Sequence, residues 1–102
     1  MSLQLHTLKL VTIIAESVLK ERITRDIMAK GAKGYSVSEV DGEGSRHLRA
    51  GEHPGQNVKF EIIVDEAVAV NLLETVSKHY FTNYAVIAYC QDVQVIRGDK
   101  YV

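Results

Sequence analysis

A chain of 102 residues, 46% hydrophobic and 25% charged, carries apolar material for one modest core and too little length for two independent domains. Twelve Lys and Arg against thirteen Asp and Glu leave a formal charge of −1, which excludes a general basic field for nucleic acid and an acidic, solvating chain alike. The lone cysteine, Cys90, excludes an intrachain disulfide and a multi-cysteine metal centre, and it fits a reducing, cytoplasmic compartment.

No apolar run nears the roughly 18 residues that cross a bilayer. Residues 1–7 lack the basic, apolar and small-residue order of a signal peptide, so the chain is expected to be soluble and in its mature form. Residues 8–14 form a β-rich apolar run whose short length predicts a buried first strand. The period then changes. Over 16–30, Leu19, Ile23 and Ile27 recur every four residues while Lys20, Arg22 and Arg25 face elsewhere, and Gly31 supplies a stop. This predicts an amphipathic helix.

A period of two returns over 34–40, predicting a second strand. Residues 41–56 hold Gly42, Gly44, Gly51, Pro54 and Gly55 with almost no apolar residue, before strand character resumes over 57–64. The two strands are expected to form a hairpin whose connection of about sixteen residues exceeds the usual two to five, so it is either functional or disordered. Asp65 is placed to cap a second helix over 66–80, with Leu72, Val76 and Tyr80 at spacing four. Residues 84–89 predict a fourth strand, and Val93, Val95 and Ile96 a short fifth one before the polar tail. The order predicts an α+β, ferredoxin-like βαββαβ sandwich: an antiparallel sheet with two helices on one face. The other face then needs a cover, which oligomerisation supplies most simply.

Chemistry concentrates in Gly42-Glu43-Gly44-Ser45-Arg46-His47-Leu48-Arg49. Two glycines let backbone amides curl round an anion, and two arginines offer planar forks. The run lacks the Gly-Lys-Ser/Thr ending of a P-loop and leads into a strand, so it is either an anion site or a solvated hairpin tip. Arg97 and Lys100 form a second basic group, enough for one phosphate or carboxylate or else a frayed tail. The four histidines show no metal-ligand spacing, and no motif joins a nucleophile to an orienting His and carboxylate. An enzyme is therefore not expected, nor a metal. Cys90, ending an apolar strand, reads as a small packing residue, and Tyr80, Phe81, Tyr84 and Tyr89 as core or interface.

Lys33-Gly34-Tyr35-Ser36-Val37 resembles the Lys-Gly-Tyr-Thr-Val strand of the PII-like signalling proteins. Gly42 with Gly44-Ser45-Arg46 and Arg49 is similar to the Gly-Lys-Gly-Ser-Arg-x-x-Arg opening of their T-loop. Asn57-Val58-Lys59-Phe60-Glu61-Ile62 resembles the strand leaving that loop, and Phe81-Thr82-Asn83-Tyr84-Ala85-Val86-Ile87 the Phe-Thr-Asp-Tyr-Ala-Gly-Ile segment of the B-loop. The likeness spans nearly the whole chain and is greatest to the carbon-linked branch, the SbtB-like and carboxysome-associated PII proteins.

The resemblance implies one PII-like domain over 1–102, a homotrimer with adenine nucleotide in its intersubunit clefts, and a T-loop at about 41–56 as effector arm. Gly42, Gly44, Ser45, Arg46 and Arg49 become the phosphate side of the site; Gly34, Tyr35, Val37, Phe81, Ala85, Val86 and Ile87 become the nucleoside side. Glu43 stands for a lysine and Val86 for a glycine of the SbtB pattern, the paired-cysteine tail is absent, and residues 41–56 hold no tyrosine for uridylylation. These departures point to the carboxysome-associated group. Resemblance to that group implies AMP or ADP as ligand, with ATP and cyclic AMP as further candidates, and bicarbonate as a second ligand, for which Arg46, Arg49, Arg97 and Lys100 are the candidate contacts. The implied partner is a bicarbonate transporter or carboxysome-related protein. The alternative is a CutA-type ferredoxin-like trimer that binds a small ligand or metal.

Overall fold

A computed structural model describes residues 3–42 and 56–102 of the chain. Strand β1 (His6–Glu16) runs through a short 3-10 turn (Ser17–Leu19) into helix α1 (Lys20–Ala29); β2 (Ser36–Val40) and β3 (Asn57–Val64) follow, then helix α2 (Glu66–Tyr80), strand β4 (Val86–Val95) and a second 3-10 turn (Gly98–Lys100). The sheet order is β2-β3-β1-β4, antiparallel throughout, which is the predicted ferredoxin-like sandwich.

The register explains why β1 is the most apolar strand. Val11 lies opposite Ile62 and Cys90, Ile13 opposite Phe60 and Ala88, and Ala15 opposite Val58 and Val86. Residues directly opposite one another share a sheet face. That face meets Leu19, Ile23 and Ile27 of the first helical segment and Ala69, Leu72, Val76 and Tyr80 of α2, forming the core. The helical residues are those the spacing of three and four selects. The opposite face carries Leu8, Leu10, Ile14, Ile63, Ile87, Tyr89 and Val93 around Thr12, Lys59 and Glu61. Neither helix lies on it, the second 3-10 turn meets it at His6, and Ile87 and Tyr89 are 56% and 45% exposed.

Helix boundaries have local causes. The Asp65 side chain accepts from the Val68 N–H at 2.9 Å, as the capping expectation requires. Gly31 follows α1 with φ +104°, a conformation that only glycine adopts without steric cost, and so ends the helix where predicted.

Several expectations change, among them the start of the fourth strand, which is Val86 and not 84. The first strand extends to His6–Glu16 beyond the predicted 8–14, because its polar ends still find ladder partners in β3 and β4. The first helix loses its predicted start at 16, which belongs to β1 and a 3-10 turn. The second strand begins at Ser36, not 34. The separate fifth strand does not form. Val93 and Val95 continue β4 unbroken, because Gln91 and Asp92, which look like a break, pair with Leu10 and Lys9. Asp92 is tolerated there because the Lys9 ammonium, directly opposite, forms an ion pair with it and reaches Glu66 at 3.7 Å. Cys90 is also corrected: it is exposed, since β4 is an edge strand and the helices leave that edge uncovered.

One polar contact locks α1 to α2. The Tyr80 hydroxyl, on a side chain 1% exposed, donates to the Asp26 carboxylate, which His79 Nδ1 approaches at 3.7 Å. Burial, followed by that carboxylate, pushes the Tyr80 phenol up to about 12. A phenol whose folded value lies above its ordinary 10 favours the folded state fully below pH 10, and that contribution is lost between pH 10 and about 12. Urea midpoints should therefore fall across this window more steeply in the wild type than in Tyr80→Phe. Equal slopes would show that the phenol is not coupled to folding.

Candidate functional site

The nucleoside-side candidates fall into two groups. Phe81 and Ala85 lie between α2 and β4, in a segment held by short-range bonds: the Asn83 and Tyr84 N–H groups both donate to the Tyr80 carbonyl, at 3.3 and 3.0 Å. The Tyr84 ring stands edge-on to Tyr80 at 6.1 Å, its hydroxyl 3.3 Å from Arg22 Nη1, and the Arg22 guanidinium lies 5.1 Å from the Tyr80 ring centroid. The far end is fixed by Glu16, whose Oε2 accepts from the Ala85 N–H at 2.6 Å. Phe81 is left 48% exposed. Val86 and Ile87 then enter β4 on opposite faces, Val86 half-buried opposite Ala15 and Ile87 exposed opposite Ile14.

The second group is on the other edge of the sheet. Val37 packs against the core from β2, Tyr35 sets its ring 6.0 Å from Phe60, and a Cβ added at Gly34 would meet nothing within 4 Å. The chain's own packing therefore does not demand glycine at 34. Gly42 follows β2, its carbonyl accepting from Asn57 Nδ2 at 3.3 Å, so the two ends of segment 43–55 are tied at its root. Gly44, Ser45, Arg46 and Arg49 lie outside the described residues.

Two strands separate these groups, so at roughly 4.8 Å per strand the β2 and β4 edges stand about 14 Å apart within one chain. The tail is farther still from the 81–85 segment. Val86 lies opposite Ala15 near one end of β1 and Val95 opposite His6 at the other, so Arg97 and Lys100 begin about 30 Å from Val86, at roughly 3.3 Å per residue of strand. Gly98 is seated against His6 so closely that a Cβ would lie 2.8 Å from His6 Cγ. A single chain thus brings Phe81, Ala85 and Ile87 to one edge, Gly34, Tyr35 and Val37 to the other, and the tail cations to the opposite end.

Sequence reasoning missed Glu16, Asn57 and Arg22. Glu16 reads as the start of the first helix; the strand register shows that it closes β1 beside Asn57, and its side chain binds the loop before β4. Among the described residues, no group of three or more His, Cys, Asp or Glu side chains is arranged to hold a metal ion, and no helix is long and apolar enough to cross a membrane.

The family model for nitrogen regulatory protein P-II matches residues 8–100. The chain belongs to the P-II family. Its structure is similar to that of a PII-like signalling protein from Thermus thermophilus, with 48% identity, 97% of this chain and 99% of that one covered, and a TM-score of 0.83. It also resembles CPII from Thiomonas intermedia K12 bound to ADP and bicarbonate, with 27% identity, 99% and 100% coverage and a TM-score of 0.85. CPII bound to ADP, AMP and bicarbonate matches at 27% identity, with 98% of each chain covered and a TM-score of 0.83. The family-model match over residues 8–100 includes both edge groups and the motifs at 33–37 and 81–87.

Proposed function

We propose that this protein is a non-enzymatic PII-type signalling subunit that assembles as a homotrimer, binds AMP or ADP between neighbouring subunits, and responds to bicarbonate. The observation that carries this reading is the division of the nucleoside candidates between opposite sheet edges. A cleft between two copies, one offering its β2 edge and the other its β4 edge, brings together what one chain holds about 14 Å apart. The uncovered apolar face supplies the driving force for assembly. The open space at Gly34 suits close approach by a ligand or a neighbour. CPII, similar over almost the entire chain, has been seen with ADP, AMP and bicarbonate.

Ser45, Arg46 and Arg49, with the amides of Gly42 and Gly44, are proposed to hold phosphate, and Tyr35, Val37, Phe81, Ala85, Val86 and Ile87 to surround the nucleoside. Arg46, Arg49, Arg97 and Lys100 supply more positive groups than one AMP needs, and the surplus suits a small planar anion. Because Arg97 and Lys100 are remote from the 81–85 segment of their own chain, they reach a nucleotide there only from a neighbouring copy. The segment 41–56 is proposed as the arm that meets a carbon-acquisition or carboxysome-related protein.

Calorimetric titration with ADP, with and without bicarbonate at fixed pH and ionic strength and with chloride as control, tests this reading. ADP should bind, and bicarbonate should tighten it, since direct repulsion between anions is overcome only if one ligand orders groups that the other uses. Absence of ADP binding overturns the nucleotide reading. Unchanged affinity with bicarbonate overturns carbon sensing alone.

A further inference from the structure

We propose that Glu16 is a positioning residue for the nucleoside side of the site: its carboxylate, bound to the Ala85 amide, fixes the end of the loop before β4 through a contact within the chain. The inference rests on the adenine-nucleotide reading and deepens it.

The strand register shows why a side chain is needed there. The last pair of β1 with β4 is Ala15 with Val86; the next in the same register would be Glu16 with Ala85, but β4 begins only at Val86. On its other side β1 continues one residue farther, with Glu16 opposite Asn57 of β3. The chain thus leaves the sheet at Ala85 while β1 is still part of it, and the ladder no longer orders that residue. The half-buried Glu16 side chain takes over: its Oε2 accepts from the Ala85 N–H at 2.6 Å. A bond from an amide to an ionised carboxylate is stronger than one between neutral groups.

The rest of the loop is held from the helical side. The Phe81 N–H donates to the Ser77 carbonyl at 3.4 Å, the Asn83 and Tyr84 N–H groups donate to that of Tyr80, and the Tyr84 hydroxyl lies 3.3 Å from Arg22 Nη1 on α1. Phe81 therefore belongs to the end of α2, whereas Ala85 is tied to the end of β1. Without the Glu16 bond the loop keeps its helical attachment and loosens at β1, so Ala85 and Val86 are the nucleoside-side candidates that gain freedom. A ligand in contact with them must then order them on binding, and that entropy cost weakens affinity. Because the cost arises at the nucleoside, it is the same for nucleotides that differ only in phosphate number.

Hydrogen exchange without nucleotide and calorimetry with AMP and ADP, on the wild type, Glu16→Ala, Glu16→Asp and Glu16→Gln, test the assignment. In Glu16→Ala, protection of the Ala85 amide should fall about tenfold, and AMP and ADP should each bind about fivefold to tenfold more weakly, by an equal factor. Glu16→Asp keeps the charge but is one methylene shorter, so it should lose the bond and behave as the alanine variant does; it serves as the second readout if alanine folds poorly. Glutamine keeps a carbonyl acceptor at full reach, so Glu16→Gln should hold affinity within about threefold of the wild type. Lost protection with unchanged affinity leaves Glu16 a structural tie and overturns the proposal. So does a loss that differs between AMP and ADP, or one that glutamine fails to reduce, since either makes the charge and not the bond responsible. If the wild type binds neither nucleotide, the nucleotide reading itself fails, and this inference with it.

Discussion

Arg46→Ala should weaken ADP binding tenfold or more while leaving the fold intact. A guanidinium on a phosphate forms charge-assisted hydrogen bonds worth roughly 1.5–3 kcal/mol each, and about 1.4 kcal/mol corresponds to a decade of affinity. Arg46 lies between Gly44 and Arg49 in the run that most resembles a PII phosphate motif, in a segment whose ends are joined by the Asn57 to Gly42 hydrogen bond. Among the described residues, the buried cluster is formed by the sheet and the two helices. Arg46→Lys should recover part of the loss, because the charge returns without the planar fork. Equal ADP affinity in wild type and Arg46→Ala, measured by calorimetry at one salt concentration, refutes the assignment.

A charge placed on the uncovered sheet face should have the other large effect. Leu10 and Ile63 are register partners at the centre of that face, turned away from the helices. A glutamate there stays solvated in an isolated subunit and costs several kcal/mol if an assembly buries it unpaired. Leu10→Glu and Ile63→Glu should therefore each yield a monomer by light scattering with helix content unchanged in circular dichroism. Loss of assembly should reduce nucleotide affinity about a hundredfold or more, because the β2 and β4 groups can no longer meet. A folded monomer that binds ADP as tightly as the wild type would overturn the intersubunit site while sparing nucleotide binding.

The two effects separate the parts of the proposed site. Arg46 is expected to act on ligand charge within one segment, whereas Leu10 and Ile63 are placed to act through assembly.

Much was legible in order along the chain. The spacing of Leu19, Ile23 and Ile27, and of Leu72, Val76 and Tyr80, marks the faces that α1 and α2 bury, because a helix repeats every 3.6 residues. The stop at Gly31 and the cap at Asp65 are equally local: each depends on one residue's backbone freedom or side-chain oxygen. The alternation around β3, the glycine-rich run at 41–56 and the motifs at 33–37 and 81–87 sufficed for the fold class and the family.

What lay beyond the sequence depends on which strand lies beside which. Gln91 and Asp92 look like the end of a strand until Leu10 and Lys9 are found opposite them, since a ladder is held by backbone groups and accepts a charged side chain that meets its counter-ion. Cys90 reads as a packing residue because its neighbours are apolar, yet its strand is the outer one and its side chain is exposed. Glu16 is the clearest case. By local propensity it begins a helix; by register it ends β1 opposite Asn57 and binds the amide of Ala85, a residue 69 positions away. Period and capping are properties of neighbours along the chain, and the sequence alone determines them. Edge position, strand register and the separation of Tyr35 from Phe81 across the sheet are set by contacts between distant segments, and only the tertiary structure decides them.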